Sequence, residues 1–410
     1  MQKLWQRIIV VIAVVVIAQV ACGQQYTRVK LNEPTTPALS ATLAPAAPAP
    51  NQAAKSWEID DKRIGAPGTA YIDNEYWQDG KKMAWMDGSL NLWLCDVEVS
   101  SGKLIPEDGK GIQIGKGAPF ALAINSVDWG FSKKGAAVYA VRPDNNGLFQ
   151  IWRTYVNQFP VKQEQITFGD LASYGMLPSL NSDASQVALT FGRGEQPKRL
   201  GKPSKALWRY EDDAASEREI PLEDIGTSGP RWIPDEMAFV TTKNYKGVVK
   251  LARYDVLTGE TKKLTFDSGN KSDAFFFKAP EYNNELTLLA LIDKSRFGVF
   301  RNIEGVWKKI REIRVGIDAP NVTLVSPEPF TFKGKSYFFV VCYLGQAFVS
   351  NSEIWVLSID GTVNQPVSSD SPNTRHDPEV ITTENDAFIS YYTGFTAPSE
   401  LHICRLILKD

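Results

Sequence analysis

The stretch Asp377-Pro378-Glu379-Val380 decides the fold, because related segments precede it at a nearly constant interval. Two of these relatives are Ser326-Pro327-Glu328-Pro329 and Ala279-Pro280-Glu281-Tyr282. Extending the register towards the N-terminus gives one position in each unit that is equivalent to Glu379. In chain order its occupants are Glu75, Asp128, Ser179, Arg231, Glu281, Glu328 and Glu379. Neighbouring positions in this series are 53, 51, 52, 50, 47 and 51 residues apart, which indicates an array of repeated units.

Residues 229–268 show what one unit contains. Short runs of β-forming residues alternate there with turns at Pro234-Asp235 and Thr258-Gly259, and this pattern predicts four strands. One position of the third strand is usually a large ring, and its occupants in chain order are Trp93, Trp152, Trp208, Ala252, Phe300, Trp355 and His402. Four antiparallel strands in each repeat predict an all-β fold, a β-propeller whose blades pack face to face around a central channel.

The number of repeats predicts seven blades, with six as the alternative if one unit is irregular. The last unit, residues 375–410, has room for only three strands. A propeller commonly closes by taking the missing strand from the other end of the chain. We therefore expect Ser56-Trp57-Glu58-Ile59-Asp60 or Lys62-Arg63-Ile64 to pair with the strand near residues 401–407.

Parts of the fourth unit resemble the repeats of TolB-type propellers, which are WD40-like. The resemblance is carried by Trp232-Ile233-Pro234-Asp235-Glu236-Met237-Ala238-Phe239-Val240, by the strand and turn at residues 254–260 and by Lys263-Leu264-Thr265. Residues 77–85 repeat the turn. The resemblance extends over roughly residues 70–410 and implies a propeller, a fold that hosts many functions.

The N-terminal residues differ in kind from the repeats. Lys3 and Arg7 precede an uninterrupted apolar run at residues 8–18, which is typical of an export signal and short for a membrane span. The following Val20-Ala21-Cys22-Gly23 resembles the signal of bacterial lipoproteins. This resemblance implies lipidation of Cys22 and anchoring to the cell envelope membrane, on its periplasmic or extracellular face. The alternatives are an ordinary signal peptide cleaved nearby and an uncleaved anchor.

The segment after Cys22 is rich in proline, alanine, threonine and serine. Such a composition cannot bury a core and favours extended, semi-rigid conformations. The predicted organisation is therefore a lipoprotein-type signal peptide at residues 1–21, a tether at 22–56 and a β-propeller at 57–410.

Charge and residue usage exclude several classes of function. The chain has 45 Lys and Arg against 47 Asp and Glu, so it lacks the positive charge that a nucleic-acid partner requires. A serine hydrolase needs a base near its nucleophile, usually a histidine. The chain has only two histidines, and one of them, His402, occupies the ring position of its unit and is expected in the core. Without a zinc-protease or P-loop motif, we predict no catalytic residue and no cofactor. Cys95, Cys342 and Cys404 are expected to be buried in strands.

The carboxylates of the repeated register are the candidates for a functional site. Innermost strands line the channel of a propeller, so these carboxylates could form an acidic ring faced by Arg231. The predicted ligand-binding residues are Arg231, Glu281, Glu328, Arg375, His376, Asp377 and Glu379. In this interpretation the protein is a non-enzymatic binding or scaffold module for a protein, peptide or glycan, and its channel captures a cation, a sugar or a peptide terminus.

Two alternatives remain open at this point. Asp377-Pro378-Glu379-Val380 and Tyr391-Tyr392-Thr393 resemble the five-bladed glycosidases of family 43, which implies that the Asp-Pro segment carries a catalytic base. A carbohydrate-active hydrolase or lyase would use two of the channel carboxylates as an acid and base pair. A carboxylate that recurs in every blade could instead accept hydrogen bonds from the backbone of the neighbouring blade.

Overall fold

The computed structural model describes residues 57–77, 79–119, 126–132, 134–158, 160–180, 187–197, 204–220, 230–319, 321–368, 372–394 and 400–408. Within these ranges the chain forms seven antiparallel sheets, the blades of a β-propeller. The predicted signal peptide, Cys22 and the tether lie outside the described residues. No helix in the described part of the chain has the length and apolar character needed to cross a bilayer.

The strands are numbered along the chain, and β1 (Trp57–Ile64) precedes the first blade. Blade 1 contains β2 (Ile72–Tyr76), β3 (Lys82–Met86), β4 (Asn91–Glu98), β5 (Lys103–Ile105) and β6 (Ile112–Lys116). Blade 2 contains β7 (Val127–Ser132), β8 (Gly135–Pro143), β9 (Phe149–Tyr155) and β10 (Gln163–Gln165). Blade 3 contains β11 (Ala172–Leu180), β12 (Val187–Gly194), β13 (Lys205–Tyr210) and β14 (Asp213–Ile220).

The second half of the ring repeats this arrangement. Blade 4 contains β15 (Arg231–Trp232), β16 (Ala238–Tyr245), β17 (Val248–Asp255) and β18 (Thr261–Lys263). Blade 5 contains β19 (Lys271–Ala279), a 3-10 helix (Pro280–Tyr282), β20 (Glu285–Ile292), β21 (Arg296–Ile303) and β22 (Val306–Ile313). Blade 6 contains β23 (Thr323–Phe332), β24 (Lys335–Tyr343), β25 (Ser352–Ser358) and β26 (Asn364–Pro366). Blade 7 contains β27 (Arg375–Thr382), β28 (Ala387–Thr393) and β29 (Glu400–Leu408).

The ring closes as predicted, through a strand from the N-terminal side of the propeller. β1 pairs antiparallel with β29, from Trp57 opposite Leu408 to Ile64 opposite Leu401, so both proposed closing segments belong to one strand. The Trp57 side chain is buried. Its backbone N–H donates to Gln365 Oε1 over 3.1 Å, and Gln365 Nε2 donates to the Trp57 carbonyl over 3.1 Å. The closing strand is therefore tied to the outer strand of blade 6 as well as to blade 7.

The hydrophobic core lies between the faces of neighbouring blades. Leu289 and Phe297 of blade 5, for example, pack with Phe338 and Trp355 of blade 6, and the rings of Phe297 and Phe338 meet edge to face at 4.7 Å. Burial of such large apolar surfaces on both sides of a blade is the main stabilising contribution in this architecture. The three cysteines of the described chain, Cys95, Cys342 and Cys404, are buried and unpaired, as predicted.

A β-bulge shapes the innermost strand of several blades. The register between the first and second strands shifts once in blades 1, 3, 5, 6 and 7. In each case a residue with positive φ lies at the shift: Asp73, Gly175, Asp273, Ser326 and Asp377. The residue two positions later resumes pairing with the second strand, so the bulge defines a common channel position.

This common position corrects two assignments made from the sequence. In blade 5 the residue that resumes pairing is Phe275, opposite Leu289, and not Glu281. In blade 3 it is Leu177, opposite Thr190, and not Ser179. The regular interval misled the register because the connection from β18 to β19 is short and β19 continues as far as Ala279.

Candidate ligand-binding channel

The side chains at the common channel position divide the ring into two halves. After the bulges they are Glu75, Leu177, Phe275, Glu328 and Glu379. In blades 2 and 4, whose first two strands pair without a shift, the sequence register assigns Asp128 and Arg231 to this position. Blade 7 packs directly against blade 1, so the four carboxylates occupy consecutive blades 6, 7, 1 and 2. We call Glu328, Glu379, Glu75 and Asp128 the acidic arc. The opposite half of the ring carries an apolar, a cationic and an aromatic side chain.

A second layer of carboxylates lies at the bulges themselves. Asp73, Asp273 and Asp377 each adopt a left-handed backbone conformation, which Asp tolerates better than most residues. Each stands two residues before a channel position. Asp73 and Asp273 were not predicted from the sequence. The spacing of Asp377 and Glu379 recurs in Asp73 and Glu75, and this recurrence could have indicated Asp73.

Asp73 joins blade 1 to the start of blade 2. Its side chain is fully buried, and Oδ2 accepts hydrogen bonds from the Ser126 N–H at 2.7 Å, the Ser126 hydroxyl at 2.7 Å and the Val127 N–H at 2.5 Å. The carboxylate thus satisfies backbone donors at the start of β7. This contact is the backbone-acceptor role that the sequence analysis left open for recurring carboxylates.

The negative charge of Asp73 acts on the carboxyl group of Asp377. Neither Asp73 Oδ1 nor Asp377 Oδ2 accepts a hydrogen bond from an N–H or hydroxyl donor among the described residues. Like charges that are buried near one another favour a proton on one of them. Burial raises the pKa of Asp73 to about 6, although its hydrogen bonds from Ser126 and Val127 oppose the shift. Burial and repulsion by Asp73 and Glu328 raise the pKa of Asp377 well above its usual range.

Burial and repulsion between carboxylates also raise pKa values within the acidic arc. Burial raises the pKa of Glu75 well above its usual range, and repulsion by Glu379 and Asp128 adds to the shift. The pKa of Glu379 is raised well above its usual range by burial and by repulsion from Glu328 and Asp377. Carboxylates crowded in this way either hold protons or require a cation nearby.

Arg231 is the cationic side chain at the channel position. Its Nη2 lies 3.8 Å from Glu328 Oε1, and its guanidinium group lies over the Phe275 ring, 3.9 Å from the centroid. Burial raises the pKa of Glu328, and Arg231 opposes this shift. Both side chains of the pair are 32% exposed, so solvent reaches this part of the channel.

Arg375 and His376, two predicted ligand-binding residues, are buried in the wall of the propeller. The Arg375 guanidinium donates hydrogen bonds to the carbonyl oxygens of Ser352 and Asn373. The His376 ring contacts the Tyr343 hydroxyl, with 2.8 Å between Nδ1 and the oxygen. Burial lowers the pKa of His376 to about 3, so its imidazole is neutral at physiological pH. These side chains support the start of β27 from within the fold.

Glu281 lies away from the channel, in the hairpin between β19 and β20. Its carboxylate accepts hydrogen bonds from the Ser336 N–H at 2.5 Å and from the Ser336 hydroxyl at 2.8 Å. Ser336 belongs to β24 of the next blade. The prediction that Glu281 lines the channel is therefore wrong in register, because this residue connects blades 5 and 6 near their surface.

A metal site was one interpretation of the acidic ring. In the described portion of the chain, no three His, Cys, Asp or Glu side chains are grouped closely enough to hold a metal ion. The carboxylates described above are instead distributed over several blades and over two layers of the channel.

Comparisons with known proteins find similarity to solved structures only. No family model and no curated protein matches the sequence. Similar solved structures include an oligogalacturonate lyase from Vibrio parahaemolyticus, with 12% identity, a TM-score of 0.49 and coverage of 85% of this chain and 97% of that chain. TolB from Acinetobacter baumannii has 15% identity, a TM-score of 0.37 and coverage of 81% of this chain and 78% of that chain.

A third similar structure comes from a study of two prolyl endopeptidases. It has 11% identity and a TM-score of 0.42, and the match covers 80% of this chain. The present chain spans only 47% of the length of that endopeptidase chain. The structural neighbours thus include TolB proteins together with proteins whose names describe other activities.

Proposed function

We propose that this propeller is a binding module that receives a cationic group of its ligand in the central channel. The observation that carries the proposal is the acidic arc on consecutive blades, with the buried Asp73 and Asp377 pair beside it and Arg231 as the cation at the channel position. Ionising these carboxyl groups costs free energy when no cation is bound among them. A cation bound among them removes part of that cost and gains charge-assisted hydrogen bonds.

The two layers of carboxylates favour an elongated cation. Each bulge residue precedes its channel residue by two positions, as Asp377 precedes Glu379. The two layers therefore follow one another along each strand, with the bulge between them. A ligand with two ammonium groups, or with one ammonium group and further hydrogen-bond donors, could contact both layers at once.

Calorimetric titration with 1,4-diaminobutane near neutral pH tests the proposal. We expect saturable binding to the unmodified protein and a loss of about tenfold or more in affinity in Glu328→Gln and in Glu379→Gln. Glu281→Gln is the matched control and should bind as the parent does, because Glu281 lies outside the channel. Absence of binding, or an equal loss in the control, would overturn the proposal.

One observation favours a second candidate, a carbohydrate-active hydrolase or lyase. The pKa of Asp73 is raised to about 6 by burial, and that of Asp377 is raised well above its usual range by burial and by repulsion from Asp73. Carboxyl groups whose pKa values are set apart by their surroundings can supply the acid and the base for cleaving a glycosidic bond. A screen of polysaccharides for reducing ends and unsaturated products separates the two candidates. Turnover that disappears in Asp377→Asn or Glu379→Gln would overturn the binding-only function.

We also propose that the propeller is exported and anchored to the cell envelope membrane by a lipid on Cys22. The support is the lipoprotein-like signal at residues 20–23 and the proline-rich segment behind it. Mass spectrometry of the protein from the membrane fraction should find Cys22 acylated and at the N-terminus. An unmodified Cys22 in that fraction would contradict the anchor.

A further inference from the structure

Arg231 brings together side chains from three consecutive blades. It belongs to β15 of blade 4, whereas Phe275 belongs to β19 of blade 5 and Glu328 to β23 of blade 6. The guanidinium group lies over the Phe275 ring, 3.9 Å from its centroid, and Nη2 lies 3.8 Å from Glu328 Oε1. The Arg231 side chain therefore extends past blade 5 and approaches blade 6. We call Arg231, Phe275 and Glu328 the arginine corner of the channel.

The guanidinium group of Arg231 has more donors than its surroundings use. It carries five N–H groups along the edge of its plane. The separation of 3.8 Å from Glu328 is an ion pair and is too long for a hydrogen bond. The Nε–H is buried and has no acceptor among the described residues. Stacking on Phe275 occupies a face of the plane, so the edge can donate to an acceptor from outside the protein.

Arg193 shows the geometry that Arg231 lacks. Its Nη1 and Nη2 donate to the two carboxylate oxygens of Glu217 over 2.6 and 3.1 Å. Such a bidentate pair is the strongest arrangement of these two groups. The fold thus completes the pairing of one arginine and leaves the other with a distant carboxylate.

Solvent reaches the arginine corner. The side chains of Arg231 and Glu328 are each 32% exposed, so a small ligand in the channel can contact the guanidinium group without opening the fold. Glu328 is also a member of the acidic arc. A surface that attracts cations and a donor edge that attracts anions therefore meet at this residue.

We infer that Arg231 binds a carboxylate of the ligand, so that the channel takes a zwitterion whose ammonium group lies against the acidic arc. The ligand carboxylate accepts hydrogen bonds from the edge of the guanidinium group, while Phe275 supports the guanidinium plane. Glu328 then pairs with the ligand ammonium group instead of with Arg231. This inference rests on the proposed function, because it assigns the second charged group of the ligand whose cation the channel receives.

The two charged surfaces together select this ligand class. An ammonium group alone compensates the acidic arc but leaves the donors of Arg231 unused. A second ammonium group is repelled by Arg231, whereas a carboxylate at the same place matches the fork of the guanidinium group. A ligand with one group of each sign therefore gains from both surfaces.

Calorimetric titration with three amines on a four-carbon chain tests the inference: 4-aminobutanoate, 4-aminobutanamide and 1,4-diaminobutane. The parent should bind 4-aminobutanoate about tenfold or more tightly than the amide, because only the carboxylate forms charge-assisted hydrogen bonds with Arg231. Arg231→Gln should weaken binding of 4-aminobutanoate about tenfold and remove this preference. The same substitution should tighten binding of 1,4-diaminobutane about twofold or more, because it removes a like charge from the channel.

Two further variants separate the charge of Arg231 from its shape. Arg231→Lys keeps the charge and loses the planar fork, so its affinity for 4-aminobutanoate should lie between those of the parent and Arg231→Gln. Phe275→Leu removes the ring beneath the guanidinium group and should weaken binding of 4-aminobutanoate about threefold. Both variants should bind 1,4-diaminobutane within twofold of the parent.

Arg301→Gln is the matched control. Arg301 is also paired with a glutamate, Glu285, and its side chain is 30% exposed. Its guanidinium group lies over the Tyr282 ring, 4.4 Å from the centroid. It belongs to β21, the third strand of blade 5, so its replacement should leave the affinities for all three amines unchanged.

The outcomes distinguish this inference from the proposed function. If 1,4-diaminobutane binds and requires Glu379, but 4-aminobutanoate binds no more tightly than its amide, the carboxylate site is overturned and the cation-binding function stands. Equal weakening of 4-aminobutanoate and 1,4-diaminobutane by Arg231→Gln also overturns it, because a structural role affects both ligands alike. If none of the three amines binds, both proposals fail.

Discussion

Glu281 and Glu379 follow proline residues in similar segments, yet their surroundings in the structure differ. Glu281 lies in a surface hairpin and accepts two hydrogen bonds from Ser336 of the neighbouring blade. Glu379 follows a β-bulge of the innermost strand, and its neighbours include the carboxyl groups of Glu328 and Asp377. The first carboxylate stabilises an interface between blades, whereas the second is costly to ionise in the absence of a ligand.

The difference lies in the groups that surround each carboxylate. A carboxylate that receives N–H and hydroxyl donors is satisfied by the protein, and its removal leaves those donors without partners. A carboxylate that faces other carboxylates is satisfied only by a proton or by a cation from outside. Substitution should therefore have opposite effects on stability at the two kinds of position.

Asp73 combines both roles and gives the largest expected effect. Asp73→Ala removes the acceptor of the Ser126 and Val127 N–H groups at the start of β7, and we expect a loss of about 3 kcal/mol in the free energy of unfolding. Asp73→Asn is the control, because its side-chain oxygen can still accept hydrogen bonds. Denaturant unfolding measures both variants, and an alanine variant as stable as the asparagine variant would show that the inter-blade contact contributes nothing.

Glu281→Ala removes the carboxylate that has a purely structural role. The Ser336 N–H and hydroxyl lose their acceptor, and we expect destabilisation by about 1 to 2 kcal/mol. Binding of amines should remain unchanged, because the residue is remote from the channel. Thermal unfolding and calorimetric titration of the same sample check both statements, and weakened amine binding at unchanged stability would refute the structural assignment.

Glu379→Gln should have a smaller effect that depends on pH. In the folded protein the pKa of Glu379 lies well above its usual range, whereas in the unfolded chain it is near 4.3. The contribution of this group to stability is therefore present below about pH 4 and is lost as the pH rises through the folded pKa. At pH 8 we expect the glutamine variant to be more stable than the parent by about 1 kcal/mol, and near pH 4 the two should be similar.

The midpoint of thermal unfolding at pH 4, 6 and 8 tests this sign. A glutamine variant that is less stable than the parent at pH 8 would mean that the ionised Glu379 is satisfied by the protein itself. Glu281→Gln measured in parallel should show no gain at high pH.

The sequence predicted the architecture because each repeat must form the same four strands. The seven blades and the pairing of β1 with β29 are confirmed, and the register was correct for Glu75, Glu328 and Glu379. A regular interval could not reveal the short connection before β19, where the channel position falls at Phe275. The pairing of a bulge with a left-handed Asp73 is a property of the backbone that spacing does not encode.

The candidate site was only partly predictable for a related reason. Arg375 and His376 are next to Asp377 in sequence, but both side chains are buried among the strands of blades 6 and 7. Alignment of repeats identifies equivalent strands, while the direction of a side chain depends on local backbone geometry.

The central claim is that crowded carboxyl groups of the channel exchange protons for a ligand cation. It is tested most directly by calorimetric titration of 1,4-diaminobutane at pH 7 in two buffers that differ in ionisation enthalpy. Binding should release protons, and Glu379→Gln should weaken binding and reduce the release while Glu281→Gln changes neither. Binding without any proton release, or equally tight binding by Glu379→Gln, would contradict the claim.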